Sequence, residues 1–175
     1  MQSKALNVDE ILPILKGVTI FSGLGDDDVK RICESCSILE ANSGEIILEE
    51  ETPATEIFII LRGKVSIILG LKNDPLVLTE FGLGDCIGEA SVIGIQNHSA
   101  SAIVTEDAAL LVLSRKVLMD LFEVDKSLFS LLILNIAREI ARRLHHTDEI
   151  LLHYGKTERF RQVIKDSTMP QKAAD

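Results

Sequence analysis

The stretch Gly84-Asp85-Cys86-Ile87-Gly88-Glu89-Ala90-Ser91, followed by His98-Ser99-Ala100-Ser101-Ala102, decides the fold. The Gly88-Glu89 pair opens a short turn, and a strand of small residues follows it at a fixed distance. A glycine-led turn of this kind presents free backbone N–H groups beside a carboxylate. The N–H groups suit a phosphate, and the carboxylate suits a sugar hydroxyl. The spacing therefore indicates a site for an anionic small molecule.

Short β-rich runs surround this stretch between residues 37 and 114. Gly, Asn, Asp or Pro separates each run from the next, and such close spacing is typical of a sandwich or barrel. Arg62-Gly63-Lys64 is predicted to form a tight hairpin. The predicted strands are 37–40, 45–48, 57–61, 64–69, 76–80, 102–105 and 109–113.

Helical periodicity flanks the β-rich region on both sides. Residues 1–36 are predicted to form an N-terminal helical segment, because apolar residues recur at helical spacing. Residues 115–155 are predicted to form C-terminal helices, and Ser127 is the expected N-cap of a long helix that ends before Gly155. Residues 156–175 are predicted to be a tail.

The long helix carries two apolar faces, which predicts a homodimer. One face, with Leu128, Leu131, Leu132 and Ile136, is expected to pack on the β-region. The other alternates at steps of four and three, the heptad pattern of a two-helix dimer. The alternative is a helix docked along its own domain. The dimer seam consists of Ile133, Ala137, Ile140, Leu144, Thr147, Leu151 and Tyr154.

Composition limits the function classes. The formal net charge is −9, with 27 acidic and 18 basic residues, which counts against autonomous DNA binding. No apolar run approaches the ~20 residues that span a bilayer. The start, Met1-Gln2-Ser3-Lys4, lacks the apolar region of a signal peptide. We therefore expect a soluble, cytoplasmic protein without membrane contact.

The cysteines allow two interpretations. Cys33, Cys36 and Cys86 make an odd count, which suits a reducing compartment. Cys33 and Cys36 share a predicted helical face with Val29 and Ile32, which favours a role in the core. A zinc or iron–sulfur site is the alternative. We predict no metal site and no cofactor.

No constellation of residues supports catalysis. A metal-dependent enzyme of the cupin type needs clustered histidines with a carboxylate on neighbouring strands. His98 stands alone in the β-region, and the other three histidines lie on the long helix. No nucleophile–base pair is evident either. The sequence therefore predicts a binding module rather than an enzyme.

In element order and motifs, the sequence resembles the cyclic-nucleotide-binding domain of the catabolite-activator and fumarate–nitrate regulators. The similarity covers about residues 14–154 and includes the segments 16–24, 44–47, 59–65 and 135–144. It implies a fold that is mainly β with flanking helices. The expected architecture is an eight-stranded, jelly-roll-like β-roll with N-terminal helices and a long C-terminal dimerisation helix.

Those regulators continue into a winged helix-turn-helix, whereas this sequence ends twenty residues after Gly155. The expected function is thus a dimeric sensor that signals to a protein partner, which would touch the end of the long helix near Tyr154 or the tail. The alternative is a transcriptional regulator of the same superfamily, or a truncated remnant of one.

The resemblance implies a set of ligand contacts. Gly88 lets the backbone approach the cyclic phosphate, and Glu89 takes the ribose 2′-hydroxyl. His98 stands where the family has a phosphate-clamping arginine, so binding of cAMP, cGMP or another anionic ligand is predicted to be weak or altered. The other contacts implied are Ala90, Ser91, Ser99 and Ala100 around the phosphate, with Thr147 and Asp148 at the purine.

Four of these residues also have a structural interpretation. Glu89 is alternatively a solvated turn carboxylate, and His98 an exposed loop residue. Thr147 is alternatively a small polar residue of the dimer seam. Asp148 either accepts a hydrogen bond from an amino-bearing base edge or faces water.

Overall fold

The structure is a computed structural model that describes residues 2–4 and 7–155. Its helices are α1 (Val8–Leu15), α2 (Asp26–Cys33), α3 (Glu89–Gly94), α4 (Arg115–Val124) and α5 (Lys126–Gly155), with a 3₁₀ turn at Thr19–Phe21. Its strands are β1 (Gln2–Lys4), β2 (Ser37–Ala41), β3 (Ile46–Leu48), β4 (Glu56–Leu69), β5 (Leu76–Phe81), β6 (Cys86–Ile87) and β7 (Ser101–Ser114).

The described strands form one antiparallel sheet in the order β1-β2-β7-β4-β5. Strand β3 also pairs with β7, and β6 also pairs with β4. The two longest strands, β4 and β7, have 14 residues each and pair from Glu56↔Ser114 to Ile68↔Ser101. They are the central strands of the sheet, and β2, β3, β5 and β6 pair with one or the other of them. The predicted class, mainly β with flanking helices and a β-roll, is confirmed.

The predicted hairpin at Arg62-Gly63-Lys64 is wrong, because these residues lie inside β4. Shifts of the β4–β7 register occur here, as expected for β-bulges. Gly63 has φ 82°, and a Cβ atom on it would lie 2.4 Å from the carbonyl oxygen of Asp107. The glycine therefore serves the close approach of two long strands rather than a chain reversal.

Two further differences concern the number of strands. The predicted strands 57–61 and 64–69 are one strand, and so are 102–105 and 109–113. Residues 2–4, predicted as part of a helical segment, form β1 and pair with β2. Cys86–Ile87, which lies outside the predicted runs, forms β6, and the described sheet therefore has seven strands. Alternating patterns break at a bulge even where the backbone continues, which explains the extra predicted boundaries.

The interior of the sheet is almost wholly aliphatic. Side chains from the five strands β2, β3, β4, β6 and β7 pack together there. Burying each large one contributes about 1.5–3 kcal/mol. The buried cluster is Ala41, Leu48, Phe58, Ile60, Val65, Ile87, Ala102, Val104, Ala108, Leu110 and Val112.

The first turns of α5 are anchored in the N-terminal segment. On the face predicted to pack on the β-region, Leu128, Leu132 and Ile136 are buried and Leu131 is half-buried. The buried Asn135 side chain donates from Nδ2 to the carbonyl oxygens of Ile20 (3.2 Å) and Ser22 (2.7 Å). The side-chain amide therefore satisfies two backbone carbonyls at the 3₁₀ turn and its C-cap, where no following helix supplies N–H donors.

The N-cap of α5 is Asp125, not Ser127 as predicted. The Oδ1 atom of Asp125 accepts a hydrogen bond from the Leu128 amide at 3.0 Å, and its other oxygen pairs with Arg31 of α2. The Leu128 bond and then the Arg31 guanidinium lower the pKa of this carboxyl. An ionised carboxylate is a better acceptor at a helix N-terminus than a hydroxyl.

The chain divides within α5 into two compact units, Met1–Ala137 and Arg138–Asp175. The described part of the second unit is helical, and Glu139 pairs there with Arg142 (2.7 Å) and Arg143 (2.9 Å). The predicted tail, 156–175, lies outside the described residues. None of the helices in the described part is long and apolar enough to cross a bilayer.

Replacing Asn135 tests the anchor of α5. Asn135→Ala leaves the Ile20 and Ser22 carbonyls without this donor, so we expect the free energy of unfolding in urea to fall by about 1–3 kcal/mol. Asn73→Ala, in the exposed turn after Gly70, is the control and should change it by less than about 0.5 kcal/mol. Equal effects of the two substitutions would contradict the anchoring role.

Candidate functional site

The turn predicted at Gly88-Glu89 is present and joins β6 to α3. Gly88 is the N-cap residue of α3 and has φ 86°. A Cβ atom on it would lie 2.8 Å from the carbonyl oxygen of Glu56, so both its dihedral angle and its surroundings require glycine. The amides of Ala90 and Ser91 follow in the first turn, where the helix supplies no acceptor. They are available donors for an anion.

Glu89 is inside the protein, with 3% of its surface exposed, and Ser91 is also buried. The alternative interpretation of Glu89 as a solvated turn carboxylate is therefore wrong. Acidic side chains are almost never buried to this degree without compensating polar groups. Ala90, between them, faces outward.

His98 is buried as well, with 6% of its surface exposed, so it is not an exposed loop residue. Its backbone is fixed at both ends: His98 N donates to the Thr52 carbonyl (2.9 Å), and Glu51 N donates to the His98 carbonyl (2.8 Å). The ring lies against Gly88, since a Cβ atom there would be 3.7 Å from His98 Cε1. The two predicted phosphate contacts thus meet, although ten positions separate them in the sequence.

Burial lowers the pKa of the His98 imidazole below its ordinary value of 6.5. Desolvation penalises the charged form of a histidine, so the ring is neutral at pH 7. A neutral ring offers one N–H donor and no charge.

A pocket of about 120 Å³ opens beside His98. This is smaller than the roughly 300–1,000 Å³ of typical small-molecule sites. Its lining contains two carboxylates and no lysine or arginine, so its potential does not attract phosphate. The lining residues are Ile47, Leu48, Glu49, Thr52, Pro53, Thr55, Glu56, Phe58 and His98.

Ser99 and Ala100 follow His98 on the approach to β7; Ser99 is exposed and Ala100 half-buried. The predicted purine contacts, Thr147 and Asp148, belong to the second unit and are both exposed. The Thr147 hydroxyl donates to the carbonyl of Arg143 one turn earlier, at 3.0 Å. The structure therefore brings His98 against Gly88, the N-cap of the helix that carries the buried Glu89 and Ser91, and the purine contacts stay predictions.

The predicted dimer seam can be followed along α5. Leu144 is 61% exposed and Leu151 44% exposed. Ala137 is exposed, and Ile133 and Ile140 are half-buried. Tyr154 lies outside the described side chains. The exposed leucines show that an apolar surface is present on this helix.

The sequence did not predict the residues that position His98 and α3 through contacts from other elements. The loop between β3 and β4 supplies Glu51 and Thr52, which fix His98. Arg115, at the start of α4, donates to the Val92 carbonyl of α3. These contacts join positions far apart in the chain, and no local pattern reports them.

The cysteines favour the core interpretation. Cys33 is fully buried and Cys36 half-buried. The hydrogen bond with Cys33, together with burial, strongly raises the pKa of the Cys36 thiol. A metal ligand must be a thiolate, which these surroundings disfavour. Within residues 7–153, no group of three or more His, Cys, Asp and Glu side chains is arranged to hold a metal ion.

Comparison with known proteins gives one family match. The model of the family described as "Cyclic nucleotide-binding domain" matches residues 38–125. This range contains β2 to α4 and therefore the whole Gly88–His98 region.

Similar solved structures have the same fold. A cyclic nucleotide-binding domain from Methylobacillus flagellatus superposes with a TM-score of 0.74 at 24% identity, over 83% of either chain. The catabolite activator protein of Thermus thermophilus superposes with a TM-score of 0.69 at 26% identity, over 78% of this chain and 63% of that one.

Two curated proteins match at the sequence level. Lysophospholipase NTE1 of Mycosarcoma maydis is 29% identical over 116 residues, which are 66% of this chain and 6% of that protein. The cGMP-dependent protein kinase 2 of Mus musculus is 25% identical over 111 residues, 62% of this chain and 15% of that protein. The chain thus spans only a small part of either relative.

The burial of His98 predicts a pH dependence of stability. Because its pKa is lower in the folded chain, the unfolded chain binds the proton more readily, and the stabilisation present above pH 6.5 is lost as the pH falls through the folded pKa. We expect the free energy of unfolding to fall between about pH 7.5 and pH 5, and to fall less in His98→Gln.

The matched control is His145→Gln, which replaces an exposed histidine of α5 and should keep the wild-type profile. The readout is urea unfolding at several pH values. Identical pH profiles of wild type and His98→Gln would show that His98 titrates as it does in an unfolded chain.

Proposed function

Because the chain belongs to the cyclic nucleotide-binding domain family, we propose that it is a non-catalytic regulatory module that binds a cyclic nucleotide, cAMP or cGMP, weakly and acts as a homodimer. The observation that carries the proposal is the contact of buried His98 with Gly88. The contact joins the Gly88 turn, whose backbone N–H groups suit a phosphate, to His98, which stands where the family has its arginine. One relative, cGMP-dependent protein kinase 2, is named for such a ligand.

We assign the phosphate to the first turn of α3. The amides of Ala90 and Ser91 would donate to its oxygens, and Gly88 lets the ligand approach the backbone. Glu89 would accept a hydrogen bond from the ribose 2′-hydroxyl. Ser99 and Ala100 complete the phosphate wall, and Thr147 and Asp148 meet the purine in this proposal.

The weakness of binding follows from the charge of the site. A neutral imidazole stands where a guanidinium would make two charge-assisted bonds. Loss of such a bond costs about 1.5–3 kcal/mol, which is roughly ten- to a hundred-fold in affinity. Of the two carboxylates in the adjoining pocket, Glu49 pairs with Lys72 at 2.7 Å, and Glu56 adds negative potential.

Restoring the cation should restore affinity. We expect His98→Arg to bind cAMP or cGMP about ten- to a hundred-fold more tightly than wild type, measured by calorimetric titration at pH 7.5. His98→Gln, a neutral donor, is the control and should not gain. Absence of any gain in His98→Arg would mean that the pocket does not accept a cyclic phosphate, and the ligand proposal would fail.

Wild-type affinity should also rise as the pH is lowered through the titration of His98. Only the imidazolium adds positive charge against phosphate, and the bound anion itself raises the pKa of the ring. His98→Gln should lose this pH dependence. A pH-independent affinity in wild type would place His98 outside the site.

Dimerisation is proposed through α5, where Leu144 and Leu151 are exposed on the single chain. Leu144→Asp places a charge in the seam, so we expect a monomer by sedimentation at tens of micromolar. Leu152→Asp, on the same helix but off the seam, is the matched control and should stay dimeric. A monomeric wild type at this concentration would contradict the seam.

For the receiver of the signal we propose a protein rather than a nucleic acid. The net charge of −9 repels a phosphate backbone, and lysine and arginine are the residues that neutralise phosphates in nucleic-acid complexes. The exposed apolar residues of α5 offer an uncharged surface that suits a protein partner.

A further inference from the structure

Arg115 connects the β3–β4 loop, α3 and α4 beside the Gly88–His98 contact. It is the first residue of α4, and its own amide donates to the Thr55 carbonyl at 2.8 Å. Its Nη2 atom donates to the Ala54 carbonyl at 2.7 Å and to the Val92 carbonyl at 3.3 Å. One side chain thus links the β3–β4 loop, which holds His98, with α3, which begins at Glu89.

The Nε–H group of the Arg115 side chain is unsatisfied. Arg115 Nε is buried, and among the described residues it is the buried side-chain polar atom that has no hydrogen-bond partner. Buried donors are nearly always paired. An unpaired N–H therefore indicates that the surrounding contacts, rather than its own hydrogen bonding, determine where the side chain lies. The guanidinium is therefore not in the arrangement that would satisfy it best.

The end of α3 that Arg115 contacts contains a strained residue and a carbonyl with only long hydrogen bonds. Ile95, the C-cap residue, has φ 51°, a left-handed conformation that is an outlier for a β-branched residue. It is 77% exposed, so packing does not compensate. The Val92 carbonyl accepts bonds from Ile95 N (3.4 Å) and from Arg115 (3.3 Å), both at the long limit for hydrogen bonds.

We propose that Arg115 is a positioning residue that latches the C-terminal end of α3 to the start of α4. The cation lies at the negative end of the α3 dipole and gives the Val92 carbonyl a second donor beside the long bond from Ile95 N. A displacement of α3 caused by a ligand at Gly88 is passed through this side chain to α4. This transmission rests on the proposed ligand function, whereas the latch itself does not.

The latch is tested without ligand by amide hydrogen exchange. In Arg115→Met, the amides of residues 89–97 and 115–124 should exchange about five- to thirty-fold faster, because their shared contact is lost. Exchange in β2 should be unchanged. Arg115→Lys, which keeps the charge and one donor to the carbonyls, should recover part of the protection.

The matched control is Arg62→Met, which removes an exposed arginine paired with Glu40 on the sheet. It should leave residues 89–97 and 115–124 unaffected. Unchanged exchange in Arg115→Met would overturn the latch. A uniform increase over all elements, with no recovery in Arg115→Lys, would also overturn it, since this is the response of a purely structural residue.

The transmission is tested by repeating the hydrogen-exchange measurement with saturating cAMP or cGMP. In wild type, ligand should alter exchange in α4 as well as in α3; in Arg115→Met, ligand should still alter α3 but not α4. An α4 response that persists in the variant would overturn the transmission. If wild type binds neither nucleotide, the proposed function fails, and the ligand-free exchange alone decides the latch.

Discussion

The pairing of β4 with β7 is the constraint on which the rest of the structure depends. Fourteen residues of each strand run side by side, and the close approach at Gly63 holds them together where the register shifts. The candidate site is built at the ends of this ladder. Strand β6 lies against β4 and delivers Gly88, while His98 comes just before β7 and Arg115 just after it. Residues distant in sequence meet because the two strands fix their starting points.

The same packing sets the electrostatics of the site. By burying His98 against Gly88, the fold removes the charge that a phosphate site would use. Carboxylates, by contrast, stay close to the ring on the pocket side. The backbone is therefore arranged for an anion and the side chains are not. This division explains why a family fold can be shared while ligand affinity differs, since strands and turns follow from packing and charge follows from single residues.

What the sequence predicted well was local. The helical spacing of Leu128, Leu132 and Ile136 identified the buried face of α5, and the Gly88-Glu89 pair identified the turn. Features created by distant contacts escaped prediction: an alternating pattern interrupted at Gly63 indicated a turn where the strand only bulges. Both Asp125 and Ser127 are residue types that favour N-caps, and the pairing of Asp125 with the distant Arg31 of α2, which fixes this carboxylate, has no local pattern. The burial of His98 depends on Thr52 and Glu51, which lie on another loop.

The elements around the candidate site differ in how firmly hydrogen bonds and packing hold them. The β4–β7 ladder and the buried face of α5 are fixed by many hydrogen bonds and a continuous core. The six residues of α3 end in a strained Ile95 and long hydrogen bonds. Local opening begins where such contacts are few. In the proposed function, a ligand at Gly88 would act on this short helix, which packs beside the β4–β7 ladder. Arg115 is the side chain that we propose passes the displacement of α3 to α4.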